Sequence, residues 1–246
     1  MTSLNTNNLN IALNAERIIK TIKKLEKRIE DRFPDSSLQK TCNSFLYVAE
    51  HNKENIEYIG RSHIPIRIFI GAIISMSLFG LAYSLTLINF STVNLSFEYV
   101  VTLSEATIND LVLLGAAIFF LSTLEVRIKR AKALKILDQL RGLAHVIDMH
   151  QLTKDPTMLG ATDLRTINSP ERTLTHFELQ RYLDYCSEML SLIGKISALY
   201  SQSLSDDVII SAVNEIESLT SGLSRKVWQK LMVLSTLKNL PSPKQD

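Results

Sequence analysis

Two long apolar runs stand out in the pattern of hydrophobic and polar residues along the chain. The first extends from Ile66 to Phe90 and contains one charged residue, Arg67. As a helix, these 25 residues would reach about 37 Å, more than the roughly 30 Å hydrocarbon layer of a membrane. The second run, Leu111–Leu124, is uncharged but reaches only about 21 Å unless Ala106–Asp110 join it. Both runs are predicted to be membrane-spanning helices.

The two spans predict a hairpin with both chain ends on one side. A buried core helix is the alternative for the second run, because its length alone favours that interpretation. However, Lys and Arg residues lie before the first apolar run and after the second. They are absent from residues 91–110 between the two runs, which contain three acids. Because basic residues are enriched on the cytoplasmic side of membranes, we expect cytoplasmic termini and an outward-facing loop. The predicted location is the bacterial inner membrane, with the chain as a multi-pass protein.

Two helices are predicted before the spans. The first has apolar residues at alternating spacings of four and three, as at the a and d positions of a coiled coil: Ile11, Ala15, Ile18, Ile22, Leu25 and Ile29. The alternative is an amphipathic helix packed against the C-terminal domain. Pro34 ends this helix. The second helix is predicted over residues 37–59, with one apolar face formed by Leu38, Cys42, Phe45, Leu46 and Ala49.

Helical periodicity continues after the second span without a break from Val126 to Ile147. The membrane helix is therefore predicted to run straight into the cytoplasm. Residues 153–172 contain Pro and Gly and predict a connecting loop. Thr173 or Thr175 followed by Glu178 is typical of a helix start.

A last helix is predicted to begin at Ser205, next to two aspartates, and to reach about Leu240. No alternating strand pattern interrupts this series of helices. We therefore predict an all-α protein, a two-helix transmembrane hairpin with a cytoplasmic helical bundle. Its predicted segments are N-terminal cytoplasmic helices (1–62), the hairpin with a short outer loop (63–126) and a cytoplasmic helical domain (127–246).

Composition and motifs narrow the function classes. The 246 residues include 27 Lys and Arg against 25 Asp and Glu, and a net charge of +2 does not indicate a nucleic-acid-binding protein. Cys42 and Cys186 are far apart and predict two buried, reduced thiols, not a disulfide framework or a Cys-rich zinc site. Sequence motifs of phosphate-loop, dinucleotide-binding, serine-hydrolase and zinc-protease sites are missing. We predict no enzyme activity, no cofactor and no metal.

Polar groups in and between the spans form the first set of candidate residues. Glu98, Glu105 and Asp110 of the outer loop would form negative rings at a pore mouth if several copies assembled, and such rings favour cations. Ser77 and Ser84 of the first span are predicted to line the same path. In a monomer, the three acids would belong to a solvated loop, which is the simpler alternative.

Basic residues form the second set, directly after the second span: Arg127, Lys129, Arg130, Lys132, Lys135 and Arg141. Such residues ordinarily anchor a helix at the anionic inner leaflet, and this role is favoured. The alternative is that they bind an anionic ligand or a nucleic acid on the cytoplasmic side.

His145, Asp148 and His150, with His176 further along the chain, form a polar cluster of unknown role. On one helix, His150 would lie about 140° around the axis from His145, so the two cannot bind one metal ion together. A metal site would need a third group such as His176 or Glu178. The favoured interpretation is a hydrogen-bonded helix end.

The spacing of Arg141 and His145 resembles the Arg-x4-6-His motif of HEPN ribonucleases, which are small all-helical proteins. Arg172 and His176 repeat the same spacing. Both pairs have three intervening residues, where the family has four to six. The resemblance implies RNA cleavage by a membrane-tethered nuclease as a third hypothesis.

The architecture as a whole resembles small bacterial membrane effectors of anti-phage defence. In addition, HVIDMHQLTKDP and RYLDYCSEMLSLIGK resemble a widespread bacterial family with a membrane hairpin and no assigned function. The first resemblance implies an oligomer that permeabilises the inner membrane. The leading prediction is a homo-oligomeric, pore-forming or membrane-perturbing effector gated by its cytoplasmic helices, with lipid and a protein, nucleotide or nucleic-acid regulator as partners. The alternative is a membrane-anchored scaffold that recruits a protein or nucleic-acid partner.

Overall fold

The computed structural model describes residues 12–60, 64–87, 97–158, 167–168 and 173–238. These ranges contain no strand, so the predicted all-α class is confirmed. The helices are α1 Ala15–Arg32, α2 Ser37–His51, α3 Lys53–Gly60, α4 Ile64–Leu87, α5 Phe97–Leu152, α6 His176–Ser203 and α7 Asp207–Lys238, with a 3₁₀ turn at Pro156–Met158.

The chain separates into two compact units. Unit 1 combines the described residues of 1–60 and 132–246, and unit 2 is formed by those of 61–131. Helix α5 belongs to both units, since its first 35 residues (97–131) lie in unit 2 and the remainder lies in unit 1. The predicted segments 1–62 and 127–246 are thus joined in one unit.

The core of unit 1 is built around α6. This helix contacts α1, α3 and α7, and Leu183, Met189 and Ile193 are among its fully buried residues. Helix α5 adds buried residues to the same core at spacings of four and three: Ala133, Leu137, Leu140, Ala144 and Ile147. This spacing places them on one helix face, as the sequence periodicity predicted.

The apolar face of α1 packs against other helices of the same chain. Ile18, Ile22, Leu25 and Ile29 are buried, and α1 contacts α2 and α6. The structure therefore agrees with the second of the two alternatives, an amphipathic helix packed against the C-terminal part of the chain. Ile11, the first position of the predicted seam, lies outside the described residues.

Asn52 divides the helix predicted over residues 37–59 into α2 and α3. Its side-chain amide donates to the carbonyl of Val48 at 2.7 Å, and its backbone N–H reaches the same carbonyl at 3.2 Å. A side chain that bonds to the preceding turn competes with helix propagation. The prediction of one helix was therefore wrong, although its face was mostly right: Leu38, Cys42, Phe45 and Ala49 are buried.

The starts of α6 and α7 follow from their capping residues. The Thr175 hydroxyl accepts from the Glu178 N–H at 3.2 Å, and the Glu178 carboxylate accepts from the Thr175 N–H at 2.8 Å. This capping box confirms the predicted helix start. The Asp206 carboxylate accepts from the N–H groups of Val208 and Ile209 and begins α7.

Helix α5 is a single helix of 56 residues that begins at Phe97. The prediction that Glu98, Glu105 and Asp110 lie in a loop was wrong, because all three belong to this helix. Residues 97–110 contain neither Gly nor Pro, so nothing stops the helix of the apolar run from extending towards its N-terminal side. The predicted continuation through Val126 to Ile147 is confirmed.

Candidate functional site

One helix among the described residues is long and apolar enough to cross a membrane. It lies within α5, over Val100–Leu152, and none of its most apolar stretch is buried. Helix α4 contains a shorter apolar segment, Gly71–Gly80. Large apolar side chains are exposed along both helices of unit 2, including Met76, Phe79, Leu113 and Phe119. An outward-facing apolar surface of this kind is suited to lipid and not to water.

A cavity of about 370 Å³ lies between α4 and α5 within unit 2. From α4 it is lined by Ser77, Leu78 and Gly80. From α5 it is lined by residues spaced three, one and three apart, which share one helix face: Thr107, Asp110, Leu111 and Leu114. The structure thus brings together Ser77 and Asp110, two of the residues predicted to serve a pore.

Asp110 lies alongside the middle of α4. Ser77, which lines the same cavity, follows Ile64 by 13 residues and precedes Leu87 by 10, so it is about 20 Å and 15 Å from the two ends of α4. The only charged residue in the sequence of α4 is Arg67, near its start. Asp110 thus lines the cavity beside apolar and hydroxyl side chains, and its own side chain is exposed, as are those of Glu98 and Glu105.

The other predicted pore residues do not share this cavity in the described part of unit 2. Glu98 lies in the first turn of α5 and is exposed, and Glu105 is exposed on the same helix. Ser84 belongs to α4, but its side chain lies outside the described part of the structure. Of the three acids, Asp110 is the one that lines this cavity together with Ser77 of the first predicted span.

The basic residues that follow the apolar part of α5 differ in their surroundings. The Lys129 ammonium lies 2.8 Å from the Glu125 carboxylate, and the two side chains are only 8% and 14% exposed. Arg127 and Lys135 are exposed, and Arg130 is half-buried. Lys129 therefore forms a buried ion pair within unit 2 and does not belong to an open basic surface.

Two further basic residues bind side chains of unit 1. The Lys132 ammonium lies 4.2 Å from the centroid of the Tyr58 ring, a cation–π contact between α5 and α3. The Arg141 guanidinium donates to the Glu215 carboxylate of α7. Each of these residues would have to leave an existing partner before it could bind an anionic ligand.

His150 links α5 to α2. Its Nε2 lies 2.9 Å from the Thr41 hydroxyl, which itself donates to the Ser37 carbonyl at 2.9 Å. Because a hydroxyl has one proton, the His150 ring must donate to Thr41 through Nε2–H. Burial, together with the nearby charge of Lys154, lowers the pKa of His150. The neutral imidazole thus serves a structural contact.

Asp148 and Gln151 hold the end of α5 against α7. The Gln151 amide donates to the Asp148 carboxylate at 2.6 Å, and the Lys230 ammonium of α7 donates to the Gln151 carbonyl. Burial lowers the pKa of Lys230, while the carboxylates of Asp155 and Asp148 act in the opposite direction. A cation at the C-terminal end of a helix is favourably placed for the helix dipole.

The two remaining histidines of the predicted cluster lie in different surroundings. His176 Nε2 is 2.9 Å from the Leu234 carbonyl, a contact between α6 and α7, whereas His145 is exposed. Within the described ranges, no group of three or more His, Cys, Asp and Glu side chains could hold a metal ion. Of the two Arg and His pairs compared with HEPN ribonucleases, Arg141 is paired with Glu215 and Arg172 lies outside the described residues.

The two cysteines are buried and unpaired, as predicted. Burial raises the pKa of the Cys42 thiol and that of the Cys186 thiol to about 12. Since the thiolate is the reactive form, neither residue is suited to nucleophilic chemistry at neutral pH.

Sequence reasoning missed a groove of about 630 Å³ between α1, α6 and α7 of unit 1. Its walls combine apolar and charged side chains, among them Ile18, Leu192, Trp228, Leu231, Glu188 and Lys195. Trp228 is the single tryptophan of the chain and is 61% exposed. Exposed tryptophan in a concave surface is typical of protein-binding sites. A single tryptophan within the last predicted helix was the signal that the sequence offered.

The chain matches no protein-family model, no curated protein and no solved structure. Its function is therefore argued from the residues of the two units alone.

Proposed function

We propose that the protein is a homo-oligomeric inner-membrane effector whose α4 and α5 form a membrane hairpin. In this proposal the hairpin forms a pore or perturbs the bilayer, and the helical bundle of unit 1 lies in the cytoplasm and controls it. Anti-phage defence is the biological setting that the architecture favours. Both termini are cytoplasmic in this arrangement.

The cavity between α4 and α5 supports a hairpin. Its lining residues lie at similar distances from the connection: Ser77 is 10 residues before the end of α4, and Asp110 is 13 residues after the start of α5. Two antiparallel helices joined at these ends would bring such positions side by side. The exposed apolar side chains of both helices then face lipid.

The observation that carries the proposal of control is the continuity of α5. The same helix lines the unit 2 cavity with Asp110 and enters the unit 1 core with Leu137, Leu140 and Ile147. We infer that a rearrangement of the bundle around α5 reaches the cavity through this shared helix. A regulator that repacks the bundle therefore has a direct mechanical route to the cavity.

The first experiment is the mass of the detergent-solubilised particle. Every pore formed by single hairpins requires several copies, so we expect a defined tetramer or larger. A monomer under all solubilisation conditions would contradict the pore and leave an anchor as the function of unit 2.

Coupling is tested at Ala131, an exposed residue of α5 at the boundary between the two units. Proline there would remove a helix hydrogen bond and kink the helix, whereas leucine would preserve it. We expect Ala131→Pro to change the leak of dye from vesicles containing the full chain, and Ala131→Leu to leak like the unmodified protein. Equal leak from all three would contradict control through α5.

The groove with Trp228 favours a second function, a membrane-anchored scaffold that binds a protein partner. In that case Trp228→Ala should abolish partner binding in cells while the leak from vesicles stays unchanged. The matched control is Val208→Ala, because Val208 is exposed on the same helix but does not line the groove. Equal partner binding by the two variants would contradict the scaffold.

A further inference from the structure

The cavity between α4 and α5 is lined by one acid, two hydroxyl groups and apolar side chains, and Asp110 is exposed at its wall. Asp110, Thr107 and Ser77 supply oxygen atoms, and Leu78, Leu111 and Leu114 supply apolar walls. In a hairpin that spans the membrane, an ionisable group at this depth is costly unless a partner or a ligand compensates its charge. The described lining contains no basic residue.

Carboxylate and hydroxyl oxygens are the ligands of hard cations such as those of alkali and alkaline-earth metals. Divalent cations are usually bound in proteins by more than one carboxylate, whereas a single carboxylate balances a single positive charge. The volume of about 370 Å³ is large enough for a cation that retains some of its water. The ligand chemistry therefore favours a monovalent metal cation.

We propose that this cavity is a binding site for a monovalent metal cation, with the Asp110 carboxylate as its anionic ligand and Ser77 as a neutral one. The proposal rests on the proposed membrane hairpin and deepens it. In the sequence-based prediction, rings of acids from several copies select cations. In this proposal, each hairpin has its own site that binds the cation. Glu98 and Glu105, which do not line the cavity, have no part in it.

A carbodiimide tests the site in the full chain reconstituted in vesicles, without any need for an open pore. Hydrophobic carbodiimides react with protonated carboxyl groups in apolar surroundings, and a cation bound in place of the proton protects the group. Labelling is measured for each acid by mass spectrometry of peptides, in potassium, sodium or choline chloride at one ionic strength. Glu98 and Glu105 of the same helix are internal controls.

We expect potassium or sodium to slow the labelling of Asp110 several-fold where choline does not, and to leave the labelling of Glu98 and Glu105 unchanged. Equal protection by choline would overturn the proposal, because it would show an effect of ionic strength alone. Labelling of Asp110 that no metal cation slows would overturn it as well and would assign a proton to the carboxylate.

Two serines of α4 provide matched variants. Ser77→Ala removes a proposed ligand and should weaken protection by the cation several-fold, whereas Ser75→Ala, an exposed serine outside the cavity lining, should not. Equal protection in both variants would remove Ser77 from the site. The failure of the proposed function can be distinguished from the failure of the cation site. A monomeric protein that causes no leak can still show labelling of Asp110 that a cation slows.

Discussion

Unit 1 and unit 2 use apolar residues in opposite ways. In unit 1, residues such as Phe45, Leu183 and Ile193 are fully buried against neighbouring helices, and the exposed faces are mostly polar. In unit 2, Phe79 and Phe119 are 73% and 70% exposed, while the polar side chains of Ser77 and Asp110 face a cavity. Helix α5 contributes residues to both arrangements. The difference teaches that an exposed apolar side chain has a different meaning in each unit: in unit 2 it belongs to a helix that is long and apolar enough to cross a membrane.

The largest expected effect separates two phenylalanines. Phe45→Ala should lower the free energy of unfolding of the full chain in detergent by about 3–5 kcal/mol, because it leaves a cavity in the unit 1 core. Phe119→Ala should cost far less, about 0.5 kcal/mol, because that side chain is 70% exposed. Denaturant titration followed by circular dichroism measures both. Equal losses would break the comparison between the two units.

Two ion pairs, one in each unit, give a second test of the comparison between the units. Lys129→Met leaves the Glu125 carboxylate buried without its nearest cation, and we expect a loss of about 3 kcal/mol. Lys23→Met removes an exposed pair with Glu50, 3.7 Å apart, and should cost less than about 1 kcal/mol.

The combined replacement Lys129→Met with Glu125→Leu is the control for Lys129, since apolar residues can replace a buried pair at little cost. It should recover most of the stability lost in Lys129→Met. A double variant as unstable as the single one would show that packing, and not the removal of the Lys129 charge, causes the loss.

Two glycines give a smaller effect. A Cβ at Gly194 would lie 3.3 Å from the Thr220 hydroxyl oxygen, which would have to shift, so Gly194→Ala should be less favourable for stability than Gly115→Ala by roughly 1 kcal/mol. A Cβ at Gly115 would meet nothing within 4 Å, so Gly115→Ala should not lower the stability of the isolated chain. If Gly115→Ala nevertheless reduces the particle mass, the small residue lies at a contact between copies, as in many membrane helix pairs.

The smallest effect is a pH dependence confined to unit 1. The pKa of His150 is lower in the folded chain than the ordinary histidine value of 6.5. As the pH falls through 6.5, the unfolded chain therefore binds a proton at this histidine before the folded chain does. The free energy of unfolding should therefore decrease as the pH falls through 6.5, and His150→Gln should flatten this dependence. His145→Gln, at an exposed position, should leave it unchanged. An unchanged slope in His150→Gln would contradict the assignment.

Sequence periodicity predicted the helical class, the buried face of α1 and the cap of α6, because these depend on residues close in sequence. It could not decide what covers Ile18 to Ile29, since a heptad seam is the same whether its partner is another chain or α6. It predicted a loop that contains the three acids, because the uninterrupted apolar run begins only at Leu111. The helix tolerates them, since each is a helix-compatible residue and no Gly or Pro intervenes.

The residues of the candidate site could be predicted from the sequence, but their arrangement in space could not. Ser77 and Asp110 were both chosen for their polarity, but their common cavity depends on how α4 and α5 lie side by side. The pairings of Arg141 with Glu215 and of His150 with Thr41 join residues 74 and 109 positions apart. Such contacts leave no periodic trace in the sequence.

In the sequence, unit 2 lies between the two parts of unit 1. This arrangement also determines the order in which the helices are synthesised on the ribosome. Helices α1–α3 are complete at Gly60, whereas α6, which covers them, is complete only at Ser203, which is 143 residues later. At translation rates of about 5–20 residues per second, the apolar faces of the nascent N-terminal helices wait roughly 7 to 30 s for their partner. During that interval the residues of α4 and of the apolar part of α5 are synthesised. Under the proposed function, these helices would enter the membrane before the bundle of unit 1 is complete.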